Sequence, residues 1–207
     1  MSAYPQRVSE NILPLSVAAT LPEAFGEWFF TENIEDHGSP EEDCELCDQE
    51  QLRYHFEIKN RITNHKLWVG SSCILKFQVQ VFDNGLLLDE KQAAKKLEDI
   101  KKKMRLDSCI RALNELAAKE SNDILSNALN FYLKNKCLTP KFAFVVFWRL
   151  DENKIDYSPS FFKINLRKDR YKDDLRDMTT DRVHFFWPAL SSSQKKLANS
   201  LGHAPPE

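Results

Sequence analysis

The chain has 207 residues, 42% of them hydrophobic, with fourteen Phe and four Trp, enough apolar bulk to build a core and to exclude wholesale disorder. Its net charge of −2 hides an uneven distribution: residues 1–50 carry one basic side chain (Arg7) against twelve acidic ones, and residues 51–207 carry 28 basic against 19 acidic. A basic body behind an acidic leader means that the overall pI excludes no class of partner, nucleic acid included.

Residues 1–24 mix apolar positions with Pro5, Pro14 and Pro22 and show no clean period. Phe25, Trp28, Phe29 and Phe30 form an aromatic knot expected to dock on the body, and residues 31–50 read as an acidic, turn-rich loop. From residue 52 the pattern becomes period two: Leu52, Tyr54, Phe56 and Ile58 alternate with Arg53, His55, Glu57 and Lys59, which predicts a half-buried strand. A turn over Asn60–Asn64 leads to a short strand through Leu67, Trp68 and Val69. A further strand is expected through Leu75, Phe77, Val79 and Val81, closed by Asp83-Asn84-Gly85.

Helices are expected from residue 88. Asp89, Asp107 and Ser121 are placed to cap three of them, and Thr139-Pro140 pairs an N-cap with proline at the first helical position. The run Phe142–Trp148 is apolar all round: a buried helix if the cap rules, a buried strand if β-propensity rules, with the helix preferred. Ser158-Pro159 opens an extended piece through Phe162, Ile164 and Leu166. Ser191 and Gln194 have capping-box spacing, and Gly202 suits a left-handed helix end. The expected fold class is α+β: a small antiparallel β zinc-finger lobe followed by a mainly helical lobe. The expected division is an acidic, aromatic segment over 1–43, a zinc-binding β unit over 44–85 and a helical domain over 86–207.

No run of eighteen apolar residues and no basic-then-apolar N-terminal pattern occurs, so a soluble, cytoplasmic protein with no membrane partner is expected. Five cysteines, an odd count, fit metal ligands plus spare thiols better than a disulfide framework. Cys44-Glu-Leu-Cys47 and Gly70-Ser-Ser-Cys73 flank the predicted hairpin. Tetrahedral zinc needs thiolates or imidazoles, and such a turn supplies two sulfurs at once while the hairpin returns a third. The carboxylates around the pair (Glu41, Glu42, Asp43, Glu45, Asp48) disfavour a free thiolate, which argues against a redox or nucleophilic role. Cys109, His55, His65 and Cys137 are the candidates for a fourth ligand. Cys109 is preferred because an all-sulfur site would join the two lobes, although its helical spacing also suits a core position.

Nothing else carries catalytic chemistry. His55-Phe-Glu57 follows the cysteine pair instead of preceding it as in zinc deaminases. No His-Glu-x-x-His, no phosphate-binding glycine loop and no Gly-x-Ser-x-Gly occurs, so no enzyme is expected. Two basic regions suit nucleic acid. The hairpin turn offers Asn60, Arg61, Asn64 and Lys66 for groove or phosphate contact. Residues 161–172 interleave Lys163, Arg167, Lys168, Arg170 and Lys172 with aromatics, as contact with single strands requires. The Lys101–Arg105 run reads as a solvated helix face.

The stretch from Cys44 through Leu52–Asn60 to Val69-Gly-Ser-Ser-Cys73-Ile resembles small zinc-finger proteins of bacterial mobile elements. With its helical remainder, the chain is similar to the compact large-subunit-like proteins (Csf family) of type IV CRISPR–Cas effector complexes. The resemblance implies a non-catalytic subunit that holds the 5′ handle of a guide RNA and helps read the short motif beside the target in duplex DNA. It also implies partnership with other effector subunits and with a DinG-type helicase. Competing expectations are a stand-alone zinc-finger DNA-binding regulator of a plasmid or phage, and a scaffold or inhibitor that binds protein through the acidic N-terminus.

Overall fold

A computed structural model describes residues 6–207; Pro5 and the rest of the first five residues lie outside them. The fold is α+β, and the chain forms two compact units, one reaching to Lys102 and the other running Lys103–Glu207. The boundary falls inside one long helix.

The first unit starts with α1 (Gln6–Ile12) and α2 (Leu21–Phe25) and continues into an antiparallel sheet of β1 (Trp28–Asp36), β2 (Tyr54–Asn60) and β3 (Lys66–Val69), in the order β1-β2-β3. Trp28 pairs with Asn60 and Asp36 with Tyr54, and a bulge between Phe30 and Ile34 interrupts the register. The aromatic knot is therefore the first half of a strand. Its apolar positions Trp28 and Phe30 face the same core as Phe56 and Ile58, as a side-chain period of two demands. The bulge has a purpose in packing: Thr31 and Asn33 both donate to the buried Glu57 carboxylate, which Lys66 also meets at 2.9 Å.

After Gly70 the expected strand through Leu75–Val81 does not form. Residues Ser71–Lys76 make the short helix α3, Gln78 takes a left-handed φ of 54°, Gln80 makes a single parallel bridge to Phe29, and β4 (Phe82–Asp83) and β5 (Leu86–Leu87) pair across the Asn84-Gly85 turn. Cys73, Ile74 and Phe77 are buried together, a helical spacing that the alternation of the following residues obscured.

The long helix α4 (Glu90–Lys119) begins at a capping box, in which Asp89 Oδ1 accepts from Gln92 N–H and Gln92 Oε1 accepts from Asp89 N–H. The expected restart at Asp107 is absent, since no Gly or Pro interrupts the segment and a cap-competent residue alone does not break a helix. Asn122, one residue after the expected Ser121, caps α5 (Asp123–Asn135) by accepting from Leu125 N–H; Ser121 occupies the left-handed turn at φ 51°.

Thr139 and Pro140 open α6 (Pro140–Glu152) as expected, with Thr139 Oγ1 accepting from Phe142 N–H. Then come α7 (Asp169–Arg176), α8 (Thr180–Phe186) and α9 (Ser192–Ser200), the last with the expected Ser191/Gln194 capping box and Gly202 at φ 98°. Cys109, Leu113, Leu129, Phe147, Phe162 and Phe186 share the buried core of this second unit. Among the described residues no helix is long and apolar enough to cross a membrane.

Candidate metal centre

The chain returns three sulfurs to one point. Glu42 and Leu52 form an antiparallel bridge with N···O distances of 2.7 and 3.2 Å, closing residues 43–51 into a loop. Inside it Asp48 N–H donates to Cys44 O at 2.8 Å and Cys44 N–H to Gln49 O at 2.9 Å. Asp48 and Gln51 adopt left-handed φ values of 55° and 63° to allow the tight reversal. Leu46, fully buried, anchors the loop in the core. Glu45 clips the loop to the edge of β3, its N–H donating to Trp68 O and its carboxylate accepting from Trp68 N–H. That strand runs directly into Gly70 and α3, whose first turn carries Cys73. A Cβ at Gly70 would stand 3.3 Å from Leu52 Cδ1, so a larger residue there would need the Leu52 side chain to give by a few tenths of an ångström.

Cys73 Sγ lies 3.6 Å from Cys44 Sγ and 3.2 Å from Cys47 Sγ, and the three ligand atoms all fall within 4.8 Å of one another. Thiolates bound at about 2.3 Å to one tetrahedral ion are separated by about 3.8 Å, so the three cysteines are placed to hold a metal ion. Cys44 and Cys73 are buried and Cys47 is half-buried.

The electrostatics fit the same use. Cys44 is lowered to about 5, first by the hydrogen bond from Cys73 and then by backbone N–H groups of Gly70, Leu46 and Cys47. These donors are in place for a thiolate before any ion arrives. Cys73 is pushed well up by its contact with Cys44 and by burial, and Cys47 is raised chiefly by burial. Left to themselves the three sulfurs resist ionising together; a bound cation removes that mutual repulsion.

Among the described residues no fourth His, Cys, Asp or Glu joins the group at that spacing. Cys109, the preferred fourth ligand, is corrected: it is 1% exposed in the core of the second unit, where burial pushes its thiol up to about 12. Its position level with Leu113 on one helical face selects packing over ligation. Cys137 also belongs to the second unit and accepts a hydrogen bond from Asn165 Nδ2 at 3.7 Å. His55 is buried, its Nε2 3.0 Å from Asp43 O and its ring 5.0 Å from that of His37, edge-on. His65 sits at the hairpin turn, with Nδ1 3.4 Å from Leu15 O.

The expected nucleic-acid residues fare unequally. Asn60 is fully buried and cannot touch a polymer: its Nδ2 donates to Glu27 at 2.7 Å, while its Oδ1 accepts from Ile62 and Thr63 N–H. It organises the turn. Arg61 and Asn64 are exposed, but Arg61 donates to Gln80 Oε1 and Lys66 is paired with Glu57. In the second unit Lys163, Arg167, Lys168 and Arg170 are exposed, whereas Lys172 is half-buried and paired with Asp169 at 2.9 Å.

Two features of this geometry have no signal in the sequence reading. The Gly70 N–H aimed at Cys44 is invisible in a motif that counts only cysteines. Lys136 lines the same cleft as Lys163 and Arg167, although α6 lies between them in the chain. Comparison of the chain with family models, curated proteins and solved structures returned no match.

Proposed function

We propose that the protein is a non-catalytic, nucleic-acid-binding subunit whose first unit is stapled by zinc and whose second unit carries the contact surface. Cys44, Cys47 and Cys73 would hold the ion. Their all-sulfur donor set suits zinc and is wrong for calcium or magnesium, which take oxygen. Bound there, zinc would cross-link the residue 44–47 loop to α3.

One observation supports the nucleic-acid reading above the rest. Lys163, Arg167, Lys168 and Arg170 stand exposed within eight residues, and none forms an ion pair among the described residues. Unpaired cations on one short segment are what a polyanion neutralises. The division of charge agrees: the first unit holds 11 basic and 18 acidic side chains, net −7, and the second 18 basic and 13 acidic, net +5. In the setting that the family resemblance implies, the partners are a guide RNA, target duplex DNA and the neighbouring subunits of a type IV effector complex, with a DinG-type helicase acting separately.

The test is the composition of the purified material. Zinc near one per chain, RNA and filament subunits co-purifying with it, and binding that weakens steeply with salt support the reading. Tight binding of duplex DNA by the isolated chain supports the stand-alone regulator instead. A chain that binds no nucleic acid at low salt overturns both. The scaffold reading has its own observation, since Leu86 and Leu87 are 72% and 59% exposed on β5 of the acidic unit. It predicts protein capture that is insensitive to Arg170→Ala.

A further inference from the structure

The second unit contains a cleft of about 680 Å³ between the end of α5, the extended segment around Lys163–Arg167 and the first turn of α9. That volume lies within the range of sites that enclose a small ligand or part of a polymer. No Asp or Glu lines it, and three cations do: Lys136, Lys163 and Arg167. Its amides are spent on the walls. Gln194 Nε2 donates to Ile164 O at 2.7 Å and its Oε1 accepts from Ser191 N–H. Asn165 Oδ1 accepts from Arg167 N–H at 3.0 Å, and its Nδ2 donates to Cys137 Sγ. The segment itself is held by Leu138, whose N–H donates to Lys163 O and whose carbonyl accepts from Asn165 N–H, both at 2.8 Å.

We infer that this cleft is the seat of a single-stranded nucleic-acid backbone, gripped through its phosphates by Lys136, Lys163 and Arg167 without reading base sequence. This rests on the nucleic-acid reading above and sharpens it. The free polar groups are cationic donors, which demand an anion with several acceptor oxygens. Gln194 and Asn165 are engaged on the walls and Asn135 Nδ2 donates to Phe131 O at 2.8 Å, which leaves little for direct readout of bases. A concave, cation-lined slot suits one strand, whose backbone can track a basic groove. The same geometry separates the basic residues of the segment into two groups. Lys168 and Arg170 do not line the cleft; they lie over the Tyr171 ring, 5.9 and 4.7 Å from its centroid.

Cys137 lines the cleft, half-buried, and so provides a local reporter. With the full-length, zinc-loaded chain, binding of a short oligouridylate, the matching oligothymidylate and a duplex of the same length would be followed by fluorescence anisotropy at several salt concentrations. Cys137 labelling by a maleimide would be measured with and without the strand. The expected result is that both single strands bind and slow Cys137 labelling, and that the duplex binds weaker. Lys163→Ala with Arg167→Ala should cost roughly tenfold in affinity and lower the salt slope by about 0.7 for each charge. Lys119→Ala, an exposed cation of the second unit outside the cleft, should do neither. Zinc content and circular dichroism would confirm that the variants fold. Binding that survives the double substitution, Cys137 labelling unchanged by the strand, or a duplex bound as tightly as a strand overturns the cleft while leaving the wider reading standing. No binding of any of the three polymers overturns both.

Discussion

The two units are nearly equal in length and solve the problem of stability differently. The second buries a broad apolar set in which Phe162 meets Tyr132 and Phe147 edge-on, with ring centroids 4.8 and 5.8 Å apart. The first also has an apolar core, but sinks Glu27, His55, Glu57 and Asn60 into or beside it and gathers three thiols at its edge. A unit built on packing fails when volume is removed. A unit built on satisfied polar groups beside a thiol cluster fails when a partner or the proton balance is lost. Each contrast can be broken by experiment.

The largest effect is expected at the sulfurs. Cys73→Ser should abolish stoichiometric zinc and unfold the first unit, because metal affinity in such sites is folding free energy. Metal analysis together with two-probe thermal melting checks this, and a full zinc complement in the variant would refute the centre. Next comes the opposite lesion: Phe162→Ala should cost the second unit about 3–5 kcal/mol with zinc content unchanged.

A smaller asymmetry concerns acid. In Asp36 and Glu57 burial raises the carboxyl, but Arg53 for the one, and Lys66, Thr31 and Asn33 for the other, outweigh it and hold both below the usual range. Glu27 is held low by Asn60 and by backbone N–H groups of Val17 and Ala18. Depressed carboxylates contribute stability above their unfolded pKa of about 4 and lose it as pH falls through the lower folded value. Proton competition for the thiolates acts in the same direction. Acid titration followed residue by residue by NMR should therefore open the first unit before the second, and simultaneous loss would count against the contrast. The smallest effect tests a cap: Asn122→Ala should cost about 1 kcal/mol, and Ser121→Ala almost nothing.

What could be read from the residues follows the range of the forces involved. The two clear strands, the Thr139-Pro140 and Ser191/Gln194 helix starts and the convergence of Cys44, Cys47 and Cys73 depend on neighbours in the chain or on one hairpin, and all were legible. The stretch Leu75–Val81 misled because alternation of apolar and polar residues also arises where a short helix gives way to extended chain. Cys109 misled for another reason: chemistry nominated it, while the apolar company of its helix face decided its place. Asn60 looked like a free amide in a basic turn, and only the pairing of β1 with β2 brings it next to Glu27. Lys136 could not be grouped with Lys163 and Arg167 at all until the chain between them was folded.

Asn60 has one more consequence. The carbonyl of Leu15 receives Thr63 Oγ1 at 2.7 Å and lies 3.4 Å from both Asn60 Nδ2 and His65 Nδ1, while Val17 and Ala18 N–H reach the Glu27 carboxylate at 3.0 and 2.7 Å. The turn that sequence offers as a reaching finger is a socket for the Leu15 carbonyl. Nicking between residues 15 and 18 has to release these hydrogen bonds, so its rate becomes a clock for local opening of the first unit.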